Sequence, residues 1–323
     1  MIRIGVLGAG GMGNVHARQY RKMSDVELGF FDPDPERSAK YQQTWDAKPY
    51  SSVEDLLKQV DVVDVCLPTD LHREFAEKAY AHGKAVFVEK PIAGNLEDAR
   101  AIVQGAEKAG VPLMAGQVVR FFADFAKGHQ LVADGKIGKP AAARTRRGGK
   151  APSGLGGWFM DHSRSGGVLI DLAVHDFDWL RWTLGEVKHL YARSVGAKTG
   201  QGPDYALTTL TFESGAVAHV EATWMDPAGF RTTFEVSGSE GMIQHDSRTN
   251  QALRIATNSG TVTENPLAPL DDPYYKELSG FLEAVKNGSP PPVTGHDGFM
   301  ALSIGLAALE SAKTDRVTIP QKL

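Results

Sequence analysis

The chain has 323 residues and a formal net charge of −4, from 35 Lys and Arg against 39 Asp and Glu. That balance offers no basic surface for nucleic acid or an anionic membrane, and no apolar run reaches the ~18 residues a spanning helix needs. Apolar residues at 42% and charged residues at 23% are ordinary for a soluble globular protein. The length suits two domains at ~150 residues each. The N-terminus runs from Met1 directly into an apolar stretch with no leader-like region, so a cytoplasmic location is expected. The single cysteine, Cys66, lies in an apolar stretch and reads as a buried structural thiol.

Ile2 to Leu7 is a short apolar strand, followed at once by Gly8-Ala-Gly-Gly-Met-Gly13 and a helical pattern through Val15, Ala17 and Tyr20. This is a G-x-G-x-x-G in the strand–turn–helix setting it requires. Gly8 permits the tight turn, Gly10 lets the backbone approach a pyrophosphate, and Gly13 lets helix and strand pack closely. The helix start presents N–H groups and a positive dipole end to phosphate. A second strand, Val26 to Phe31, leads to Asp32. A carboxylate there binds ribose hydroxyls and repels a 2′-phosphate, which favours NAD over NADP. Arg37, one helical turn on, partly offsets it.

The alternation of strands and helices continues. Ser51 or Ser52 caps a helix through Leu56 and Leu57. Val60 to Leu67 reads as a parallel strand covered on both faces. Pro68-Thr-Asp-Leu-His72 opens a helix from about Leu71 to His82. Ala85 to Val88 is a buried strand ending in Glu89-Lys90-Pro91. A lysine at the carboxyl end of an inner strand sits where open α/β sheets bind ligands; the alternative is a surface Glu-Lys pair. Pro91 fixes its own φ and biases Lys90 towards an extended backbone. Asn95 caps a helix to Ala109, with Glu97 and Asp98 in its first turn, and Val111 to Gly116 is one more strand. The expected architecture to about residue 120 is a doubly wound parallel sheet with its crevice at the carboxyl ends.

The pattern changes after Arg120. A helix, Phe121 to Asp134, leads to a strand from about Pro140 to Arg147 and a glycine- and proline-rich loop, Lys150 to Gly157. Gly166 to Leu180 carries helical periodicity. From His189 to Glu264 the pattern alternates, with a hairpin signal at Ser214-Gly215. Residues 121–323 are expected to form an α+β domain with a large, mostly antiparallel open sheet. A helix from Pro273 to Asn287, a stiff connector at Pro290 to Pro292, a final helix from about Gly298 to Ala312 and a short strand, Arg316 to Ile319, complete the chain.

On the helix predicted from Gly166, Asp171 and His175 are four apart and share a face. The pair is open to three readings: helix stabilisation, half of a metal site, or an acid–base couple. For a metal the chain has no His-Glu-x-x-His, no cysteine set and no third ligand at motif spacing, so none is expected.

Gly8 to Gly13, Leu67-Pro-Thr-Asp-Leu-His72, Glu89-Lys-Pro91, Val119-Arg-Phe121, and the run from Gly166 to Asp178 occur in one order along nearly the whole chain. Together they resemble the glucose–fructose oxidoreductase / inositol dehydrogenase family, Gfo/Idh/MocA. The resemblance implies a Rossmann domain over 1–120, a substrate and oligomerisation domain over 121–323, and a nicotinamide cofactor in the crevice between them; the broad apolar content of the last helix (Met300, Leu302, Ile304, Leu306, Leu309) predicts that it packs near the domain junction. It implies a homodimer or homotetramer through the C-terminal sheet. By position, Lys90 matches the family's catalytic lysine, Asp171 its substrate-site aspartate and His175 its catalytic histidine. The cofactor set it implies is Gly8, Gly10, Gly11, Met12, Gly13, Asp32, Leu67, Pro68, Thr69, His72, Glu89 and Lys90. Thr69 stands where the commonest family pattern has asparagine. Trp158, Arg164 and Asp178 lie where substrate contacts occur, without an assigned role.

These features point to an oxidoreductase that moves a hydride between a nicotinamide and a sugar, inositol or related polyol. Two alternatives keep the fold: a reductase of an unsaturated or imine substrate, and a cofactor-sensing regulator without catalysis. Retention of Lys90, Asp171 and His175 together argues against the regulator.

Overall fold

The apolar runs of the first third of the chain become buried strands, because a parallel sheet covered on both faces leaves no polar side to alternate with. The computed structural model describes residues 1–151, 157, 159, 161–196, 204–249, 253–257, 260–264 and 272–323. The chain divides into two compact units, Met1–Gln117 with Asp272–Phe299, and Val118–Asp271 with Met300–Leu323.

The first unit runs β1 (Ile2–Leu7), α1 (Gly11–Tyr20), β2 (Val26–Phe31), α2 (Pro35–Trp45), β3 (Lys48–Pro49), α3 (Val53–Gln59), β4 (Val62–Val65), α4 (His72–Ala81), β5 (Ala85–Glu89), α5 (Leu96–Ala109) and β6 (Leu113–Gly116). The strands lie in the order β3-β2-β1-β4-β5-β6, all parallel. The order reverses at β1, which pairs with β2 on one side and β4 on the other. That reversal opens a crevice at the carboxyl ends of β1 and β4. The caps follow side-chain chemistry. Asp34 accepts from the N–H groups of Glu36 and Arg37 ahead of α2, Ser52 from Asp55 ahead of α3, and Asn95 from Asp98 ahead of α5.

In the second unit, α6 (Ala123–Ala133) leads to β7 (Pro140–Gly148), then α7 (His162–Ser165), α8 (Gly167–Asp171) and α9 (Val174–Leu184). β8 (Val187–Val195), β9 (Tyr205–Phe212), β10 (Val217–Thr223), β11 (Arg231–Gly238), β12 (Gly241–Asp246), β13 (Leu253–Thr257) and β14 (Gly260–Glu264) follow. Among the described residues these strands form one sheet in the order β14-β13-β12-β11-β7-β10-β9-β8. Every pairing is antiparallel except β7 with β10. Alternation sets its two faces: Ala206, Thr208 and Leu210 of β9 are buried while Leu207 is exposed. The core beneath centres on Trp179, whose ring lies 5.4 Å from Phe125 and 4.7 Å from Phe234, and whose Nε1 donates to the Phe125 carbonyl at 2.9 Å.

The last two helices are α10 (Pro273–Asn287), which belongs to the first unit, and α11 (Gly295–Thr314). The first turn of α11 packs on β6, with Gly295 against Leu113 and Gly298 against Ala115 and Ile92. The tail makes one bridge, Leu190 to Thr318, rather than a strand from Arg316 to Ile319.

The helix expected from Gly166 to Leu180 is broken. The Val168 carbonyl accepts from both Leu172 and Ala173 N–H, and the Ala173 carbonyl then starts a new helix by accepting from Asp176 and Phe177. Such a closure rotates the following positions by about 100°, one residue's share of a turn. Asp171 therefore closes α8 and His175 lies in the first turn of α9, so the pair does not sit on one continuous helix.

Candidate active site

Gly8 leaves β1 at φ +99°, and a Cβ there would stand 2.7 Å from the Cys66 carbonyl oxygen. A Cβ on Gly13 would stand 2.0 Å from the Gly8 carbonyl oxygen. Both positions thus need glycine to close the turn onto its own strand. Gly10 and Gly11 are different: a Cβ on either meets nothing within 4 Å. Gly10 caps α1 without a side chain, so the first N–H groups of a ten-residue helix open outward at the positive end of its dipole. Met12 is half-buried beside them. Asn14 Nδ2 pins the turn through the carbonyls of Ala9 (3.0 Å) and Gly10 (2.7 Å), and Trp45 Nε1 holds Asn14 Oδ1 at 2.8 Å.

Asp32 follows β2. Its carboxylate accepts from Ala9 N–H and Asp34 N–H, each at 2.8 Å, and from Arg37 Nη2 at 2.9 Å and Nε at 3.3 Å. Burial pushes the Asp32 carboxyl up, but Arg37 and the two N–H groups outweigh it and hold it below its ordinary range. Arg37 also reaches Asp34 at 3.1 Å. The offset expected from Arg37 is therefore a direct ion pair.

Leu67, Pro68 and Thr69 form the turn after β4, with Thr69 buried. His72 is buried, with Nε2 2.9 Å from the Leu67 carbonyl and Nδ1 3.1 Å from that of Pro91 and 3.3 Å from that of Ile92. It ties the loop after β4 to the loop after β5, so its effect on a ligand passes through those loops. The Lys90–Pro91 peptide is cis. Glu89 is buried, and its Oε2 accepts from Lys90 N–H at 3.0 Å; Lys90 is half-buried.

Gly8, Gly10, Gly11, Met12, Gly13, Asp32, Leu67, Pro68, Thr69, His72, Glu89 and Lys90 thus gather at the carboxyl ends of β1, β2, β4 and β5 in one unit. The open helix start suits a pyrophosphate, and Asp32 suits a ribose diol. A ribose hydroxyl has to displace Arg37, because the four lone-pair positions of the carboxylate are taken.

Asp171 and His175 belong to the second unit, with Asp171 buried and His175 half-buried. Asp178 is buried and accepts two hydrogen bonds from Arg120, Nε at 2.7 Å and Nη2 at 2.6 Å. That fork gives the buried carboxylate a structural partner. Asp176 is likewise buried and accepts from Arg147 Nε at 2.6 Å. Burial pushes the Asp176 carboxyl up against the opposing pull of Arg147. Arg164 is exposed on α7, and Trp158 lies outside the described residues.

Residues 2–117 match the oxidoreductase family with an NAD-binding Rossmann fold, and residues 125–244 match the GFO/IDH/MocA C-terminal domain. The chain belongs to the Gfo/Idh/MocA oxidoreductase family. It is 33% identical to the myo-inositol 2-dehydrogenase of Thermotoga maritima, over 98% of this chain and 97% of that one. It is 31% identical to the scyllo-inositol 2-dehydrogenase (NAD(+)) of Bacillus subtilis, over 96% and 94%. Among solved structures it is similar to a probable dehydrogenase from Thermotoga maritima, with TM-score 0.87, 31% identity and 98% of both chains covered. This Gfo/Idh/MocA chain is an NAD-dependent oxidoreductase. Among the described residues no helix is long and apolar enough to cross a membrane.

Sequence reasoning missed Asn14, which pins the turn, and the Arg120–Asp178 fork. It also missed the partners of Asp64, a carboxylate inside the apolar run of β4. An ionisable residue at the centre of a buried strand is itself the signal, since it needs a partner there.

Proposed function

We propose that this protein is a dehydrogenase of a sugar, an inositol or a related polyol, using NAD in preference to NADP. The observation that carries the substrate class is the end-to-end similarity to two inositol dehydrogenases. The first unit forms the cofactor-binding part and the second unit the substrate-binding and oligomerisation part.

Lys90, His175 and Asp171 carry the chemistry. When bound, the nicotinamide supplies the hydride acceptor. The substrate hydroxyl must lose its proton as its carbon loses hydride, and His175 takes that proton. The Lys90 ammonium stabilises the charge that develops on the oxygen. Asp171 binds a hydroxyl and orients the histidine. Asp32 holds the ribose, and the N–H groups at Gly10–Gly13 hold the pyrophosphate. The outward face of the eight-stranded sheet exposes Leu207 and Val217, and this supports a homo-oligomer assembled through that face.

The test is a screen of inositols, hexoses and their oxidised forms with NAD or NADH, read by NADH absorbance. One or more polyols oxidised faster with NAD than with NADP is the expected result. NADH binding without turnover of any of them overturns the reading.

A further inference from the structure

Asp64 sits in the middle of β4 and is fully buried. Tyr20 Oη donates to its Oδ2 at 2.9 Å, and His16 Nδ1 lies 2.8 Å from the same oxygen. Cys66 Sγ is 3.4 Å from Asp64 Oδ1 and 3.3 Å from His16 Nδ1. The other side of the His16 ring faces a second carboxylate, with Nε2 3.1 Å from Glu89 Oε1, an ion-pair contact rather than an aligned hydrogen bond. The second oxygen of Glu89 is the one that accepts from Lys90 N–H. One fully buried imidazole therefore separates two buried carboxylates, and beyond the second lies Lys90.

A neutral imidazole has one N–H and would turn a lone pair towards one of the carboxylates. An imidazolium donates to Asp64 and turns its second N–H, and its positive charge, towards Glu89. The groups that face the ring are Asp64 and Cys66 from β4 and its end, Glu89 from β5, Tyr20 from the same helix, Tyr41 from α2 and Tyr274 from α10. Burial works against the charge, but the Asp64 carboxylate outweighs it and holds His16 well above its ordinary value. Burial pushes the Cys66 thiol up, and pushes Tyr274 up to about 12, so both stay protonated. His16, Asp64 and Cys66 also bring a nitrogen, an oxygen and a sulfur within 4.8 Å of one another. The 2.8 Å between His16 and Asp64 is that of a shared hydrogen and is shorter than the ~3.3 Å between two tetrahedral zinc ligands.

We propose that His16 is a positioning residue: bridging Asp64 and Glu89 as an imidazolium, it fixes Glu89, and through Glu89 it ties the helix behind the glycine turn to the strand end that carries Lys90. The importance of that tie rests on the role given to Lys90 above, but its test needs no substrate.

The test uses the full chain with NADH bound. In protein carrying ¹⁵N-histidine, the His16 ring signals are assigned by their loss in His16→Gln. They are expected to keep the imidazolium pattern above about pH 7, where an ordinary histidine has lost its proton. In protein with ¹³C-methylated lysines, the Lys90 signal is assigned with Lys90→Arg. His16→Gln is expected to shift it, whereas Arg3→Ala, which removes the exposed pair with Asp61, leaves it in place. A neutral ring above about pH 7, or a Lys90 signal unmoved in His16→Gln, overturns the proposal. Should His16→Gln not fold, Asp64→Asn keeps the ring and removes one carboxylate; its His16 must then lose the proton at lower pH, and an unchanged titration is equally fatal. Both readouts decide the matter whether or not any polyol is oxidised.

Discussion

Arg37 grips the carboxylate of Asp32, the residue that follows β2, through Nη2 and Nε. The pair makes cofactor choice a competition between a ribose hydroxyl and a guanidinium that is 32% exposed and free to swing into solvent. Asp32→Ala removes the acceptor and the repulsion of a 2′-phosphate together. The ratio of NADPH to NADH dissociation constants, measured by fluorescence titration, is expected to fall about tenfold, the size of one charge-assisted hydrogen bond. Arg37→Ala removes the competitor, so NADH should bind at least as tightly as in the parent. An unchanged ratio in Asp32→Ala refutes the assignment.

The Arg120–Asp178 fork predicts a stability effect. Both side chains are buried, so removing the guanidinium strands a carboxylate away from water. Arg120→Ala is expected to cost about 3–5 kcal/mol in unfolding experiments, and pairing Arg120→Met with Asp178→Leu to recover most of it. A small loss in Arg120→Ala, with weakened substrate affinity in Asp178→Asn, would return Asp178 to the substrate site.

What the sequence showed most plainly was whatever local chemistry dictates. Asn95 and the glycine turn declared themselves by side-chain type and spacing, the cap of α3 to within Ser51 or Ser52, and the apolar runs of β4 and β5 by composition. The break after Asp171 was hidden because Gly166 to Leu180 carries a helical period throughout; the change is in which carbonyl accepts, not in which residues are apolar. Helix α2 went unread because its sequence, Pro35–Trp45, buries one side chain, Tyr41, and so carries almost no apolar stripe. The buried ion pairs were illegible for another reason. Their partners lie far apart in the chain, 58 residues for Arg120 and Asp178 and 48 for His16 and Asp64, and only the fold brings them together.

His129 gives a prediction on acid stability. Its ring stacks on Trp182 at 3.4 Å with an interplanar angle of 10°. Burial, and then the Arg120 cation, push it down to about 4. The folded state therefore binds its proton less readily than the unfolded state, whose histidine titrates near 6.5. As pH falls from about 6.5 to about 4 the unfolded state gains the proton first, and this group's share of the stability is lost across that window. Below about 4 both states are protonated and the loss stops growing. His129→Phe keeps the stack and removes the titration. The melting temperature of this variant is expected to fall less between pH 7 and pH 4 than that of the parent. Parallel curves would show that His129 contributes nothing to acid sensitivity.

The catalytic assignment predicts how three substitutions differ. Lys90→Ala and His175→Ala should each lower kcat by about 10² or more, the scale of a positioned acid–base group. NADH affinity should change less in His175→Ala than in Lys90→Ala, because Lys90 shares a unit with the glycine turn and His175 does not. Asp171→Asn keeps the size and one acceptor oxygen but removes the charge, so its effect should fall partly on KM. If Lys90 and His175 serve one proton-and-hydride step, the double variant should lose far less than the product of the single losses, as residues that act as a unit do. The measurement is steady-state kinetics on whichever polyol the screen returns, with NADH affinity taken separately by fluorescence. Near-normal turnover in His175→Ala removes it as the proton acceptor. Fully multiplicative losses would mean that the two residues act in separate steps.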